Sequence, residues 1–270
     1  MELFTYVVMF LIGIFFGSFF TLAVYRIPRG ENILYKHSYC PNCNHKLQFL
    51  DLFPIFSFLF LKGKCRYCKD KVRIRYLLLE LLSGIVFVLF AMSIKLNFFE
   101  INSYLVYIGV VIQVLFLSGL FIIAGIDKEK KQIQKSVLWY EIIVSLMYMI
   151  YVCTLKNINV YKYVIYIIVL LTLLLIETII MKKRAKTYYI LEIMNLFMCM
   201  LIVNDFIITY YTLNLSLLLI CVYLLYKKIR VGHYKFIKED NTKKQKLPIG
   251  FVLVISNIIC TIIINFITNY

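Results

Sequence analysis

Two Cys-x-x-Cys pairs, Cys40-Pro41-Asn42-Cys43 and Cys65-Arg66-Tyr67-Cys68, lie in one loop with 21 residues between them. Each pair presents two sulfurs from one tight turn, and four thiolates around one ion make a tetrahedral zinc site. Such a site folds a loop too small to hold a core of its own. It also leaves no position open for a catalytic water. The spacing predicts a structural Zn2+ held by Cys40, Cys43, Cys65 and Cys68. His37 and His45 flank the first pair and read as surface residues or neighbours of the ligands, because four thiolates already fill the site. Cys153, Cys199, Cys221 and Cys260 stand singly in apolar stretches and read as small core residues.

The second kind of chemistry lies with the acids. Asp127 follows the apolar run Leu115–Ile126 and precedes Lys128. It reads either as a helix-end acid paired with lysines or as one half of a catalytic pair. Glu80, Glu141, Glu177 and Glu192 fall in the same halves of other apolar stretches, whereas Asp205 falls at the opposite end of its own. Carboxyls in such places are costly and are functional candidates by default. Two of them facing each other at one depth share a proton, leaving one as base and one as acid. Asp127 and Glu192 are the pair expected to activate a water for attack on a peptide carbonyl. Serine hydrolase chemistry lacks support: the three histidines (His37, His45, His233) all lie in loops, away from any exposed-nucleophile motif. No glycine-rich phosphate loop is present.

The elements that must position these groups are membrane spans. The 270 residues are 62% hydrophobic and 16% charged, against about a quarter charged in soluble domains. Mean hydropathy is +0.84. Apolar runs long enough to cross a bilayer recur, which predicts an all-α polytopic membrane protein with about eight transmembrane helices. They are expected near 3–25, 76–96, 103–126, 137–155, 161–181, 188–204, 207–226 and 249–268. The first lacks a basic n-region and leads into Tyr25-Arg26-Ile27-Pro28 rather than a cleavage site, so it reads as a retained span. The cysteines then occupy a polar loop, 26–75, between the first two spans.

Residues 26–75 carry 11 basic side chains against three acids. Basic clusters also follow the third span (Lys128, Lys130, Lys131, Lys135), the fifth (Lys182, Lys183, Arg184, Lys186) and the seventh (Lys227 to Lys246). The intervening loops hold little charge: Lys95 and Glu100, then Lys156, then Asp205. Every second loop is basic, which places the cysteine loop in the cytoplasm. Thiols there stay reduced, so disulfides are disfavoured. The net charge of +16 is accounted for by these loops, and no nucleic acid is expected as a partner. The lysine-rich stretch 235–246 reads as a solvated connection near anionic headgroups of the lipid bilayer.

Several ordered motifs resemble bacterial type IV prepilin peptidases. They are Gly17-Ser18-Phe19, Tyr25-Arg26-Ile27-Pro28-Arg29-Gly30-Glu31, Ser38-Tyr39-Cys40-Pro41-Asn42-Cys43, Asp51-Leu52-Phe53-Pro54-Ile55-Phe56-Ser57, Gly63-Lys64-Cys65-Arg66-Tyr67-Cys68, Arg75-Tyr76 and Glu80-Leu81-Leu82-Ser83-Gly84. Farther on, Ile126-Asp127 with Ile133 resembles the family's first catalytic aspartate segment, and Leu247-Pro248-Ile249-Gly250-Phe251 the start of its last span. The resemblance implies a membrane aspartyl protease of the bacterial cytoplasmic (inner) membrane with its active face cytoplasmic. Such an enzyme cuts basic leaders from prepilins or pseudopilin precursors and N-methylates the new terminus with S-adenosylmethionine. Methyl transfer is associated in the family with the cysteine loop and its surroundings, which makes Arg26, Glu31, Arg66 and Glu80 the cofactor-binding candidates. The implied organisation is a first transmembrane helix at 1–25, a zinc-binding, methyltransferase-associated loop at 26–75 and an aspartyl protease-like domain at 76–270.

The chain departs from the family where the second aspartate belongs. The family pattern there is Gly-x-Gly-Asp with a lysine two residues on. This chain has Tyr189-Ile190-Leu191-Glu192, with Met194 at the lysine position. Gln134 stands where the family has a proline after the isoleucine, and Lys135 where it has an acid or amide. Two readings follow. Either Glu192 serves as a remodelled second acid beside Asp127, or the chain is a proteolytically inactive relative that acts as a methyltransferase only or as a membrane scaffold in pilus or secretion assembly.

Overall fold

The computed structural model describes residues 2–33, 37–40, 42–99, 104–155, 160–180, 185–234 and 247–269. Lys36, Pro41, Glu100, Lys156, Lys182–Arg184 and the lysine-rich stretch 235–246 lie outside the described residues. The long helices are α1 (Glu2–Arg26), α3 (Arg75–Ser93), α4 (Tyr104–Lys130), α5 (Lys135–Leu155), α6 (Val160–Ile180), α7 (Ala185–Val203), α8 (Phe206–Tyr234) and α9 (Ile249–Asn269), with a short α2 (Phe56–Phe60) in the loop after α1. They match the eight expected spans in order. Seven include stretches long and apolar enough to cross a bilayer, which makes this a multi-pass membrane protein. The apolar stretch of α7, Tyr189–Val203, is shorter than the others. Among the described residues the only β pairing consists of two isolated bridges in the cysteine loop, Tyr39 with Lys46 and Lys64 with Lys71.

The chain divides into two compact units, Met1–Val110 with Ile262–Tyr270, and Val111–Thr261. In the first, α1 lies directly against α3. Between apolar helices in lipid, close approach depends on small residues. Gly13 supplies one: a Cβ there would sit 2.7 Å from the Gly84 Cα and 2.8 Å from the Ser83 carbonyl oxygen. Gly17 supplies the next turn, where a Cβ would meet Ser83 Oγ and come within 2.8 Å of the Glu80 Cα. The Ser83 hydroxyl donates across the seam to the Gly13 carbonyl (2.8 Å), so the contact is polar at its centre and apolar around it. Phe16 packs on the fully buried Phe87, with ring centroids 5.8 Å apart. Gly17→Leu is therefore expected to force the helices apart, costing about 1–3 kcal/mol or more. A lowered thermal midpoint of the detergent-solubilised protein would register it.

In the second unit α7 packs between α5 and α6. Its buried side chains include Leu196, Cys199, Met200 and Ile202, which are the apolar filling. Polar side chains in this interior find one another: the Asn195 amide donates to Glu177 (2.9 Å) and Asn257 donates to Thr212 (3.4 Å).

Candidate functional site

The two cysteine pairs fold into two turns of the same design. In the first, the Cys40 N–H donates to the His45 carbonyl (3.0 Å) and the Asn44 N–H to the Cys40 carbonyl (2.9 Å). In the second, the Cys65 N–H donates to the Asp70 carbonyl (2.8 Å) and the Lys69 N–H to the Cys65 carbonyl (3.0 Å). Asn44 and Lys69, each directly after the second cysteine of its pair, take positive φ (54° and 60°), which turns the chain back under the sulfurs. The four Sγ atoms lie within 4.8 Å of one another, and Cys40 and Cys68 are 3.8 Å apart. A tetrahedron with metal–sulfur bonds of about 2.3 Å has sulfur–sulfur edges of about 3.8 Å, so the donor set fits a zinc ion.

The electrostatics suit the same ion. The backbone N–H groups of Cys68 and Tyr67 aim at the Cys65 sulfur and, against its burial, bring that thiol down to about 7. At Cys68 the Asp70 N–H favours the thiolate, but burial and the neighbouring sulfurs of Cys65, Cys43 and Cys40 push the thiol up to about 11. Four crowded sulfurs without a cation thus retain a proton that a divalent ion would displace. The His45 ring lies against Tyr67, with centroids 3.6 Å apart, bridging the two turns.

Asp51, which the sequence did not single out, fastens the second turn. It accepts from Arg66 Nε (2.6 Å), the Tyr67 hydroxyl (3.2 Å) and the Gln48 N–H (3.1 Å). Burial pushes its carboxyl up, but the Gln48 N–H, Arg66 and Tyr67 together hold it below the ordinary value. That stabilisation is present above the unfolded carboxylate pKa of about 4 and is lost as pH falls through the lower folded value. Asp51→Asn should lower the thermal midpoint at neutral pH, and the gap to the parent should close as the medium is acidified.

A cavity of about 280 Å³ opens beside the turns, between Ser18, Tyr25 and Arg26 of α1 and Tyr76 and Glu80 of α3. Three cofactor candidates line it: Arg26, Arg66 and Glu80. Glu31 is not among the lining residues; the Tyr39 hydroxyl donates to it at 3.5 Å. Arg26, buried, donates to the carbonyls of Asn32 (3.2 Å) and His37 (2.9 Å), which pins the chain leading into the first turn. Glu80, also buried, accepts the Ile55 N–H (2.8 Å).

In the second unit Asp127 is fully buried near the end of α4. The Tyr189 hydroxyl donates to its Oδ1 (2.7 Å) and the Phe251 N–H to its Oδ2 (2.8 Å), while the Gly250 N–H donates to the Tyr189 oxygen (3.3 Å). A carboxylate at a helix C-terminus opposes that helix's dipole. Here it is compensated by the first turn of α9, whose N–H groups have no intrahelical acceptor. Gly250 leaves the room, since a Cβ there would stand 3.2 Å from Oδ2. Glu192, one turn beyond Tyr189 on α7, is buried within electrostatic range of Glu177, Lys135 and Asp127. Glu177 accepts from Asn195 and lies 3.6 Å from Lys135 Nζ. Glu141 is fully buried against Gly119, with neither carboxyl oxygen hydrogen-bonded among the described residues. In the sequence Tyr189 marks only a departure from the Gly-x-Gly-Asp pattern. Its hydroxyl, placed on Asp127, is the functional group that this pattern does not reveal. Tyr189→Phe should cost about 1–3 kcal/mol for the acceptor left unpaired, and increase modification of Asp127 by a water-soluble carbodiimide, read by peptide mapping.

The cysteine-bearing region has known counterparts. Residues 11–94 match the family model of the Bacterial Peptidase A24 N-terminal domain, the stretch that carries the second part of α1, both cysteine turns and α3. Among individual proteins, the chain is 36% identical over 129 residues to a prepilin leader peptidase/N-methyltransferase of Klebsiella pneumoniae, covering 45% of this chain and 51% of that protein. Proteins of the same description from Myxococcus xanthus and Bacillus subtilis are 37% identical over 81 residues and 39% over 80. Each match covers 30% of this chain, and 24% and 32% of the respective relative. The chain thus matches about half the length of the first relative and a third or less of the others. No solved structure gives a significant match. The resemblance to type IV prepilin peptidases is borne out.

Proposed function

We propose that the chain processes type IV prepilins or pilin-like precursors at the cytoplasmic face of the bacterial inner membrane, removing the basic leader and N-methylating the new terminus. The carrying observation is the pair of matched cysteine turns with a cavity beside them, inside the stretch that matches the A24 N-terminal domain. Cys40, Cys43, Cys65 and Cys68 hold a structural zinc, which fixes the cavity's wall. S-adenosylmethionine, when bound, supplies a methyl group. Its cationic sulfonium suits a cavity with the Glu80 carboxyl and the Tyr25 and Tyr39 rings in its lining, where Arg26 and Arg66 stand near for the carboxylate end.

Cleavage is assigned to Asp127 and Glu192 in the 76–270 portion. One carboxylate takes a proton from a water, whose oxygen bonds to the scissile carbonyl carbon. The other carboxyl gives its proton to the departing amide nitrogen as the carbon–nitrogen bond breaks. Support comes from the burial of both acids and from Tyr189, one turn before Glu192 on α7, whose hydroxyl donates to Asp127. The second reading, a proteolytically inactive relative that only methylates or serves as a scaffold, draws on a specific observation. Both oxygens of Asp127 already have donors from within the protein. Membranes containing the protein, mixed with a pilin precursor, should release the leader, and Glu192→Ala should abolish release. Release unchanged in Glu192→Ala would remove Glu192 from the mechanism, with Glu141 and Glu177 next to test.

A further inference from the structure

We infer that residues 49–60 of the cysteine loop are inserted into the lipid of the cytoplasmic leaflet as a non-spanning element. The first observation is where this segment is anchored. The Phe53 ring stands edge-on to Phe15, with centroids 5.7 Å apart, and the Ile55 N–H bonds to the Glu80 carboxyl. At about 1.5 Å per residue, Phe15 lies about 16 Å back from the end of α1 at Arg26, and Glu80 about 7 Å inside α3 from Arg75. The segment therefore doubles back alongside two helices that cross the bilayer, instead of projecting from their ends.

The second observation is its surface. Phe49 is 76% exposed, Leu50 65%, Leu59 60% and Phe60 82%. Large apolar side chains exposed to this degree are uncommon on a solvated loop. Exposed apolar side chains also stand on α1 and α3, Phe15, Phe19, Leu78 and Leu82 among them, and the ring contacts Phe49–Phe53 and Phe53–Phe15 join the segment to α1. The acid within the segment, Asp51, turns toward Arg66 and Tyr67. Lys62 and Lys64 follow directly, as expected where a buried apolar segment returns to anionic headgroups.

The third observation is the backbone. Non-helical chain enters lipid only where its N–H and C=O groups are satisfied by protein. Much of this requirement is met within the segment: the N–H groups of Asp51, Leu52, Phe56, Ser57 and Leu59 donate to the carbonyls of Gln48, Phe49, Pro54, Phe53 and Ile55, that of Ile55 goes to Glu80, and Pro54 has none to satisfy. The Glu80 carboxyl thus serves a specific purpose: it supplies the acceptor that water would supply on a solvated loop.

The test uses the full chain in vesicles of phosphatidylethanolamine and phosphatidylglycerol. Trp139, the single tryptophan, is changed to Phe, and Phe60→Trp or Leu59→Trp is added. Leu82→Trp on α3 serves as the bilayer standard and Lys46→Trp as the aqueous one. Acyl-brominated lipids should quench the tryptophan at 60 or 59 as strongly as that at 82, with a blue-shifted emission and little effect of iodide. Quenching by iodide to the level at 46, with no response to brominated lipid, would overturn the assignment. So would lipid quenching that disappears when a pilin precursor is added, because the face would then belong to a protein partner. Two separate tryptophan positions keep the result independent of either substitution's effect on folding.

Discussion

Asp127→Ala should reduce leader release by about a thousandfold or more, the scale expected when a group that activates water is removed. The same change also leaves the Phe251 N–H and the Tyr189 hydroxyl without their acceptor, at a cost of about 1–3 kcal/mol each if they stay buried. Loss of activity in the alanine variant alone would therefore confound chemistry with folding. Asp127→Asn separates them. An amide oxygen can still accept the Phe251 N–H, and the amide nitrogen can donate to the Tyr189 oxygen, so the junction of α4, α7 and α9 persists without an acid. Under the acid-pair account, the asparagine variant stays nearer the parent's thermal midpoint than the alanine variant does, and it loses cleavage. If it cleaves as the parent does, Asp127 is a helix-terminal cap and nothing more.

Cys65→Ser should lower bound zinc from one equivalent to none and leave residues 37–72 open to proteolysis. Structural zinc sites contribute about 10–16 kcal/mol of apparent binding free energy at neutral pH, and this binding is folding free energy for the loop. Among the described residues the backbone bonds of the two turns are local, and the ties between them include Arg66 and Tyr67 to Asp51 and the His45–Tyr67 ring contact. Cys40 and Cys65 are buried while Cys43 is exposed. Alkylation of the metal-loaded parent should therefore be slow at all four sulfurs and become fast at Cys40 after chelation. The cavity loses its wall at the same time, since Cys40 and Cys65 line it. Methyl transfer should fall with the metal even though the ion touches no substrate. Fast alkylation of Cys40 and Cys65 in protein as isolated, with no zinc on elemental analysis, would refute the four-thiolate site.

The cysteine site was legible because its signal is local: two identical spacings produce two turns of the same design, which bring the four sulfurs within 4.8 Å of one another. The spans were legible for a similar reason, since runs such as Leu115–Ile126 are apolar on every face. Tyr189 was not. The sequence shows it only where the family has a glycine, and its hydroxyl acquires meaning only when the first turns of α7 and α9 meet the end of α4. Residues 49–60 were folded into a polar loop because basic side chains dominate its charge count, and the run from Phe49 to Phe60 is too short to span. What marks that run as unusual is its attachment to Phe15 and Glu80, a tertiary fact. Glu80 illustrates the same limit. Its place in the sequence motif suggested a cofactor contact, while its carboxyl carries a backbone N–H of the loop and still lines the cavity.

The most direct measurement of the central claim is intact-mass analysis of pilins recovered from the host with and without this protein. The account predicts that pilins from cells carrying it lack the basic leader and bear one added methyl at the new N-terminus. Removal of the protein should return both features to the precursor state. Pilins that keep their leader and an unmethylated terminus in both cases would contradict prepilin processing. A pilin cleaved in both cases but methylated only with the protein present would contradict the acid pair and leave methyl transfer as the chain's activity.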